Sequence, residues 1–340
     1  MLKHGESGAY GAKKYSEVLK KGLQYISDRR DGKIKSFKTP WTGINLAGIN
    51  GIEWGSLVTV AARPSSGKTM WISQLIKDSH IYNPDQEFNI LEFQFEMDDK
   101  QYAARQYAAE VAKDYNMILS AYTRLDDFIY NQLDQYQKDT EILEGKGILR
   151  KLIGNPLTHY EIEKAIEHHY ADMGNKPLIV TIDHSWLIKK APDEKEKLNT
   201  LYNTADTLIR VKNKLPVIIF VVSQLNRTLE EPIRRIPGSI ANYPSTSDLF
   251  GGDALQQSSD MVFALSRPWV LDIPTYGPKN YEVYKSDVFV HILKARNGNQ
   301  NESILFMRMD GSIQKFFEIP EPIQVQQTNN FQRKYGKANP

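Results

Sequence analysis

Short apolar runs and amphipathic stretches alternate along most of this chain from Leu57 onward. The short runs predict strands at 57–62, 88–95, 177–182, 216–222 and 260–265. Apolar positions spaced three and four apart predict helices at 68–80, 99–113, 121–138, 158–172 and 196–213. Strands that alternate with helices favour a mainly parallel sheet covered by helices on both faces, so the predicted fold class is α/β.

Near the end of the chain the alternation gives way to consecutive strands. The stretch 287–316, DVFVHILKARNGNQNESILFMRMDGSIQKF, contains a strand, an Asn-Gly turn, a second strand and a short third one. This pattern predicts a C-terminal antiparallel hairpin on one edge of the sheet. Residues 319–340 are rich in Pro, Gln and Asn and are predicted to be disordered. The main domain is therefore expected to span residues 41–318.

Residues 1–40 form a basic segment with a predicted helix at 13–30. The segment holds ten Lys or Arg against four Asp or Glu, although the whole chain has a formal charge of only +2. The helix carries one apolar stripe, formed by Tyr15, Val18, Leu19, Leu23 and Ile26. Such a stripe must be buried on its own domain or on a partner. The surplus charge favours contact with nucleic acid or an acidic neighbouring subunit, and a solvated tail is the alternative. Residues 31–43 are interpreted as a linker.

Composition narrows the picture mainly by exclusion. The chain has 340 residues, of which 41% are hydrophobic and 25% charged, as is ordinary for a soluble globular protein. No window approaches 18 consecutive apolar residues, so no membrane span is expected. The absence of cysteine excludes disulfides and thiolate metal sites and is typical of a reducing cytoplasm. We expect a cytoplasmic protein, acting in the host cytoplasm if the gene is viral.

Candidate chemistry begins at the junction of the first strand and the following helix, VTVAARPSSGKTMWISQL. A small-residue loop there offers backbone N–H groups and a helix N-terminus to phosphates, Lys68 adds a full charge, and Thr69 offers a hydroxyl to Mg²⁺. The usual pattern G-x-x-x-x-G-K-[ST] has glycine where this chain has Ala62, which costs freedom at positive φ. The predicted nucleotide-binding residues are Ala62, Arg63, Pro64, Ser65, Ser66, Gly67, Lys68 and Thr69.

Three further predicted strands end in polar residues. Asp183 ends the strand in PLIVTIDHSWL, where a carboxylate can hold Mg²⁺ through water. Glu96 follows the second strand and is the candidate to orient or deprotonate an attacking water. The nearby Asp98 and Asp99 are explained by the start of the next helix. Gln224 ends the strand in VIIFVVSQLNR, where it can sense a γ-phosphate, and a cap or loop role is the alternative.

Taken together, these residues resemble the hexameric replicative DNA helicases of the DnaB type, which have a RecA-like ATPase core. The resemblance covers about Thr42 to Ser312 in the family's order. It runs through TGINLAGINGIEWGSLVTVAARPSSGKT, FEMDDKQYAAR, LTHYEIEKAI, LIVTIDHSWL, VSQLNR, SDLFGGDALQQSSDMVFALSR and KARNGNQNESILFMRMDGS. The A-R-P-S-x-G-K-T loop is the most specific piece, and the family often has alanine at the position of Ala62. The resemblance implies an ATP-hydrolysing enzyme that translocates on single-stranded DNA and unwinds forked duplex as a homohexameric ring.

The resemblance also implies roles within one subunit. Lys68 and Thr69 would bind the phosphates of ATP and Mg²⁺, and Asp183 would support the metal. Glu96 would be the catalytic base, and Gln224 would couple the nucleotide to a DNA loop.

Other implied roles connect neighbouring subunits. Lys294 and Arg296, in KARNG, match residues that reach into the next subunit's site and contact its γ-phosphate. From the residues alone, the alternative for these two cations is a solvated hairpin. Residues 13–30 resemble the linker helix that packs against an adjacent subunit, which would give the apolar stripe its partner.

This sequence departs from the family in the segment expected to hold DNA. The family typically has R-E-S-G after S-D-L, whereas this chain has Phe250, Gly251, Gly252 and Asp253. The glycines can still present backbone amides, and Phe250 can stack on a base, but Asp253 would repel phosphate. Arginines of the preceding loop are expected to supply the missing charge. The predicted DNA-binding residues are Arg227, Arg234, Arg235, Phe250, Gly251 and Gly252.

Two more departures leave functional alternatives open. Only about 40 residues precede the core, where the family usually has a helical domain that forms a collar and helps recruit primase. The resemblance therefore implies no collar for this chain, and it leaves open whether a primase or loader binds. In D-H-S-W, the family more often has an aromatic residue directly after the aspartate. The alternatives are a RecA-like filament or regulatory ATPase that coats single strands without unwinding, or an accessory subunit of another helicase.

Overall fold

The computed structural model describes residues 12–120, 122–251, 253–298 and 304–325 of the chain. The α-helices of these residues are α1 Tyr15–Arg30, α2 Thr42–Ala47, α3 Lys68–Tyr82, α4 Asp99–Val111, α5 Tyr115–Leu119, α6 Asp127–Gly145, α7 His159–Asp172, α8 Lys197–Lys214 and α9 Asp253–Ser258. The strands are β1 Ser56–Ala62, β2 Asn89–Gln94, β3 Arg150–Ile153, β4 Leu178–Asp183, β5 Val217–Gln224, β6 Met261–Ser266, β7 Thr275–Tyr276, β8 Tyr281–Glu282, β9 Asp287–Ala295, β10 Ile304–Asp310 and β11 Lys315–Glu318. Among the described helices, none combines the length and apolar character that a membrane crossing requires.

One large sheet forms the centre of the molecule, with the strand order β11-β10-β9-β6-β1-β5-β4-β2-β3. The strands from β6 to β3 are parallel to their neighbours, whereas β9, β10 and β11 are antiparallel. The predicted α/β class is therefore confirmed, with a mainly parallel sheet and a C-terminal antiparallel hairpin on one edge. The short strands β7 and β8 form a separate two-stranded ribbon.

The register of the parallel strands brings their carboxyl ends to one edge of the sheet. Ala62, at the end of β1, pairs with Gln224, at the end of β5. Gln94, at the end of β2, pairs with Asp183, at the end of β4. The loops that follow β1, β2, β4 and β5 therefore leave the sheet side by side, where ligands bind in open α/β sheets. We call this side of the sheet the carboxyl edge.

Two apolar layers sandwich the sheet because successive strand residues point to opposite faces. In β5, Ile218 and Phe220 pack in the layer that contains α3, whereas Ile219 and Val221 pack in the layer that contains α7 and α8. All residues of β1 are buried. Burial on both faces explains why these strands are continuous apolar runs, and it makes the sheet a rigid support for the loops at its carboxyl edge.

The helix ends follow local capping chemistry. The predicted helix at 121–138 begins instead at Asp127, because the Asp126 carboxylate accepts hydrogen bonds from the Phe128 and Ile129 amides at 2.8 and 3.4 Å. Helix α7 begins at His159 behind a capping box formed by Thr158 and Glu161. The short α5 and the four-residue β3 were not predicted.

Two segments that the sequence predicted to be irregular are packed. In the predicted linker, Phe37 is fully buried and Trp41 stacks on Trp71 with a centroid distance of 4.3 Å. At the other end, the prediction of disorder is wrong for residues 319–325, because the Val325 amide donates to the Asn280 carbonyl at 2.9 Å. Residues 326–340 lie outside the described part of the chain.

Candidate functional site

The phosphate loop joins β1 to α3 at the carboxyl edge. Ala62 is an extended, fully buried strand residue whose carbonyl accepts a hydrogen bond from the Leu225 amide at 3.1 Å. The positive φ values fall at Ser65 (62°) and Gly67 (84°). A Cβ at Gly67 would lie 2.8 Å from the Phe316 ring. Glycine is therefore required at Gly67, and alanine at position 62 costs the loop nothing.

Lys68 is the first residue of α3 and lies beside the loop. Its Nζ approaches the Ala62 carbonyl at 3.5 Å. Burial lowers the pKa of Lys68, and the nearby Asp183 and Glu96 carboxylates only partly offset that effect. A partly desolvated ammonium at a helix N-terminus is an environment that favours an anionic ligand.

Thr69 and Asp183 form the part of the site suited to a cation. The Thr69 hydroxyl donates to Asp183 Oδ2 at 2.6 Å, while Asp183 Oδ1 is buried without a hydrogen-bond partner among the described residues. Burial raises the pKa of Asp183, and the Thr69 hydrogen bond acts in the opposite direction. An orphaned carboxylate oxygen beside a hydroxyl fits Mg²⁺, which takes one or two protein oxygens and completes its shell with phosphates and water.

A cleft of about 450 Å³ opens in front of these side chains. Glu96 and Gln224, from the ends of β2 and β5, both line it, and the Glu96 carboxyl group is exposed. The Glu96 amide donates to the Gln94 side chain at 3.1 Å, which holds the turn after β2. The lining residues are Pro64, Ser65, Gly67, Lys68, Thr69, Met70, Glu96, Arg105, Gln224, Met309, Gly311 and Gln314.

Some lining residues were not singled out from the sequence. Arg105 lies on α4 and brings a second cation to the cleft, and it belongs to FEMDDKQYAAR, one of the motifs of the resemblance. Gly311 and Gln314 come from the turn between β10 and β11, which lies more than 240 residues after the loop and closes the cleft from the hairpin side. No local pattern signals that approach, because it depends on how the hairpin continues the sheet.

Three residues of the predicted nucleotide-binding set do not line the cleft. Ala62 is buried in β1, and Ser66 is buried with its amide donating to the Arg63 carbonyl at 3.3 Å. Arg63 points toward the loop after β5. Its Nε donates to Glu230 Oε1 and its Nη1 to the Leu225 carbonyl, both at 2.8 Å. Arg63 thus links the phosphate loop to the segment after Gln224.

The segment after β5 folds back on the end of that strand. Leu225 and Leu249 form an antiparallel bridge, and the Asn226 amide donates to the Asp248 carbonyl at 2.6 Å. The Phe250 amide donates to the Gln224 carbonyl at 2.9 Å. The residue predicted to sense the nucleotide is therefore in direct backbone contact with the start of the segment predicted to hold DNA.

The predicted DNA-binding arginines differ in what they contact. Arg234 is not free, because its guanidinium donates to both carboxylate oxygens of Asp248, at 3.0 and 2.9 Å, and to the Tyr243 carbonyl. The charge of Arg234 is thus matched inside the loop, and its contact with DNA stays a prediction. Arg227 is exposed, and Arg235 is partly exposed.

The aromatic and glycine positions of the same segment are also arranged by packing. Phe250 lies edge-on against Trp186, with ring centroids 4.8 Å apart. Gly251 has a φ of 66°, and a Cβ there would lie 2.3 Å from Leu201 Cδ1, so glycine is required at this position. The predicted Gly252 lies outside the described residues, and α9 begins at Asp253.

Lys294 and Arg296 do not line the cleft. Lys294 Nζ donates to the carbonyls of Gln256 and Gln257, at 2.8 and 2.9 Å. The Arg296 amide donates to the Asp260 carbonyl, and Asp260 in turn contacts Leu57 at the amino end of β1. The length of β1, about 17 Å at the usual strand rise, separates that end from the phosphate loop.

The fold and the cleft define a P-loop nucleotide-binding protein of the RecA-like class. The family described as "DnaB-like helicase C terminal domain" matches residues 38–318. The chain therefore belongs to the DnaB-like helicase C-terminal domain family, whose members use nucleotide.

Known relatives extend beyond this chain. It is 22% identical over 271 residues to "Replicative DNA helicase DnaB" of Haemophilus influenzae, covering 80% of this chain and 53% of the relative. It is 24% identical over 310 residues to the protein of the same name from Helicobacter pylori strain J99, covering 90% and 59%. The chain thus spans between half and three fifths of the length of these curated relatives.

Solved structures share the fold. The "ATPase Domain of G40P" superposes with a TM-score of 0.73 at 20% identity, covering 91% of this chain and 99% of that one. A structure described as "The Structure Of A DnaB-Like Replicative Helicase And Its Interactions With Primase" gives a TM-score of 0.70 at 20% identity, covering 90% and 67%. At this level of identity the likeness establishes the RecA-like fold.

Proposed function

We propose that this protein is an ATP-dependent replicative DNA helicase that translocates on single-stranded DNA and unwinds duplex as a hexameric ring. The observation that carries the proposal is the backbone hydrogen bond between Gln224 and Phe250. It joins the cleft that the nucleotide would occupy to the segment predicted to hold DNA. Through this bond a change at the cleft would be passed to that segment, as a motor requires.

ATP with Mg²⁺ is the proposed substrate. Lys68 and the amides of the phosphate loop would hold the phosphates, while Thr69 and Asp183 would hold the metal, which supplies charge neutralisation when bound. Glu96 would accept the proton of the attacking water. The support for this assignment is that all four side chains lie within one cleft or bond directly to its lining.

The proposed ring places each active site between two subunits. Lys294 and Arg296 do not line the cleft of their own chain, and Arg296 lies beside the amino end of β1, so their proposed role is to contact a neighbour's γ-phosphate. The apolar stripe of α1 has no buried residue, and it would pack on an adjacent subunit. Both features favour an assembly over a lone subunit.

Single-stranded DNA would run past the exposed part of the loop after β5. Arg227 and Arg235 are the proposed phosphate contacts, together with backbone amides near Gly251 and Gly252. Arg234 is left out of this set because Asp248 already neutralises it. Forked DNA in the cytoplasm, or in a host's cytoplasm, is the proposed working substrate. A primase or loader is a candidate partner, since one solved relative is described with primase interactions.

An assay on a forked duplex tests the proposal. Wild-type protein with ATP and Mg²⁺ is expected to separate the strands and to hydrolyse ATP faster when single-stranded DNA is added. Glu96→Gln is expected to bind ATP but lose at least about 100-fold in turnover, because a general base contributes on that order. Asp99→Asn is the control, because this nearby carboxylate lies on α4 and does not line the cleft.

Several results would contradict the proposal. Helicase activity would be excluded if single-stranded DNA did not stimulate ATP turnover and the forked duplex were not unwound. Electron microscopy of the ATP-bound protein gives an independent readout, because open filaments in place of closed six-fold rings would support the coating function instead.

A further inference from the structure

Two half-exposed aromatic rings meet at the carboxyl edge. Trp186 follows β4 in a short turn, and Phe250 lies at the end of the segment that folds back on β5. Their exposed fractions are 39% and 40%, and their ring planes meet at 79°. The two rings thus form one apolar surface. It stays exposed to solvent even though the rings contact each other.

A lysine lies beside this pair of rings. Lys197 Nζ lies 5.6 Å from the centre of the Trp186 ring and also donates to the Ile188 carbonyl, which fixes its position. The connection between Trp186 and α8 exposes more lysines than carboxylates. Its exposed charged residues are Lys189, Lys190, Lys195, Asp193 and Glu196.

The remaining acidic residue of this connection is not available to repel a ligand. Glu194 is buried and accepts hydrogen bonds from the Ala191 amide and the Thr200 and Asn203 side chains, at 2.8, 2.7 and 2.7 Å. These contacts tie the connection to α8, and its exposed charged residues, three lysines against two carboxylates, sum to a charge of +1.

The ring pair also touches the nucleotide machinery. The Phe250 amide is bonded to the Gln224 carbonyl, and Gln224 lines the cleft. A molecule that packs on Phe250 therefore sits one hydrogen bond away from the residue that faces the nucleotide.

We propose that Trp186 and Phe250, with Lys197 beside them, form a platform on which a base of single-stranded DNA stacks. This proposal rests on the proposed function, and it adds Trp186 and Lys197 to the base contact that the sequence predicted for Phe250. Every base has an apolar face, so stacking on such a platform is sequence-tolerant and suits a protein that moves along any strand. A phosphate group would contact only the lysine. A nucleotide has a base that can stack on the rings and a phosphate that can contact the lysine.

A comparison of two oligonucleotides isolates the stacking. Wild-type protein, held with Mg²⁺ and a non-hydrolysable ATP analogue, is titrated with an oligothymidylate and with an abasic strand of the same length. The two strands share their phosphates and differ in their bases. We expect the wild type to bind the abasic strand at least about fivefold more weakly, the lower end of the usual effect of one stacked base.

Variants assign the difference to the platform. Trp186→Ala is expected to remove most of the preference for the base-containing strand, and Trp186→Phe is expected to retain it because a ring remains. Trp269→Ala is the matched control, since this tryptophan is 50% exposed but lies after β6. Trp269→Ala should behave as wild type. Thermal unfolding and analogue binding establish that each variant is folded.

Fluorescence supplies a second readout that does not depend on a truncated side chain. A stacked base is expected to quench the emission of Trp186, so the oligothymidylate should quench the wild type and Trp269→Phe but not Trp186→Phe.

The outcomes separate the two proposals. No binding of either strand by wild type would overturn the helicase function itself. Equal binding of both strands by wild type, or an unchanged preference in a folded Trp186→Ala protein, would overturn the platform and leave the helicase function standing.

Discussion

Arg63 shows how one side chain can connect two loops. It belongs to the phosphate loop by sequence, yet its guanidinium bonds to Glu230 and to the Leu225 carbonyl, and it does not line the cleft. The Arg63 side chain is mostly buried, at 15% exposure, so the ion pair is better shielded from solvent than a surface pair. Movement of the loop around the nucleotide would therefore pull on the segment after β5.

This contact leads to a prediction about coupling. Arg63→Gln is expected to bind ATP within a few-fold of wild type but to lose about fivefold or more of its stimulation by single-stranded DNA, the low end of typical coupling free energies. Steady-state turnover with and without DNA measures this. Lys68→Ala serves as contrast, since it should lose ATP binding itself. A large loss of ATP affinity in Arg63→Gln would mean that this residue contacts the nucleotide.

His291 predicts a pH dependence of stability. It is buried in β9 with its Nε2 2.8 Å from the Tyr276 hydroxyl, and burial lowers its pKa to about 3. The unfolded chain takes up a proton near pH 6.5, whereas the folded chain does not, so stability is retained above that pH and falls as the pH drops toward 3. At pH 5 this one residue should lower the free energy of unfolding by about 2 kcal/mol relative to pH 7.

Denaturant unfolding at pH 7 and pH 5 checks the effect of His291. In His291→Gln the difference in unfolding free energy between the two pH values should shrink by about 2 kcal/mol, because glutamine does not titrate. His168→Gln, at an exposed position on α7, is the control and should leave the difference unchanged. An unchanged difference in His291→Gln would show that acid sensitivity arises elsewhere.

At this scale the sequence predicted which residues line the cleft better than which side chains pair with each other. Lys68, Thr69, Glu96 and Gln224 could be found because each follows a recognisable strand at a fixed position. The ion pair of Arg234 could not be predicted, because its partner Asp248 lies 14 residues away and meets it only after the loop folds back on β5. Trp186 was noticed only as part of a departure from the family pattern, because its exposure depends on that same fold.

Helix α1 is the element whose sequence and packing disagree most. Its stripe is apolar, but Leu19, Leu23 and Ile26 are 56%, 69% and 63% exposed. The helix is held at its end instead, where the Arg29 guanidinium and the Tyr25 hydroxyl bond to Glu53 at 3.3 and 2.7 Å. Polar contacts at one end orient the helix and leave its apolar face for another surface.

We therefore predict that the stripe matters for assembly and not for the stability of one subunit. Leu19→Ser combined with Leu23→Ser should change the unfolding free energy of the subunit by no more than about 0.5 kcal/mol per site, as for other exposed positions. The same variant should fail to form hexamers in Mg²⁺-ATP when its mass is measured by light scattering.

A matched surface position makes the comparison specific. Ile81→Ser, at the exposed end of α3, removes a side chain of 72% exposure that lies outside α1 and should leave the assembly intact. Hexamers that persist in the double variant would show that the stripe has another role.

The sequence predicted an element correctly where the burial of that element produces a regular hydrophobic pattern along the chain. Strands β1, β4 and β6 are buried throughout and β5 is buried up to its last residue, so each forms a nearly continuous apolar run. Strand β3 was missed because its residues, RKLI, are half-buried at the sheet edge and too polar and short to stand out. The order of the strands, with β6 beside β1, results from crossovers that no local pattern encodes.

At the scale of the whole molecule, the two ends of β1 carry different halves of the proposed active site. Lys68 lies at its carboxyl end, and Arg296 lies beside its amino end. If Arg296 acts on a neighbour, Arg296→Ala should lower turnover on the order of 1,000-fold, as for loss of an arginine finger. Lys68→Ala should be similarly inactive.

Mixing the two inactive variants tests action between subunits. In mixed rings an intact Lys68 from one subunit meets an intact Arg296 from the next at about a quarter of the interfaces, so turnover should return in proportion. The measurement is ATP hydrolysis after subunit exchange at equal concentrations. A mixture no more active than its components would mean that Arg296 does not serve a neighbouring site.

The separation of Lys68 from Arg296 along β1 has a further consequence for the cell. On the proposed assembly, a stray subunit would hold ATP without consuming it, so hydrolysis per subunit would rise with protein concentration. Dilution would therefore stop ATP hydrolysis. A ring that opened would stop hydrolysing ATP at the broken interface, while its intact interfaces continued. Newly made subunits would then stay idle until enough of them had gathered.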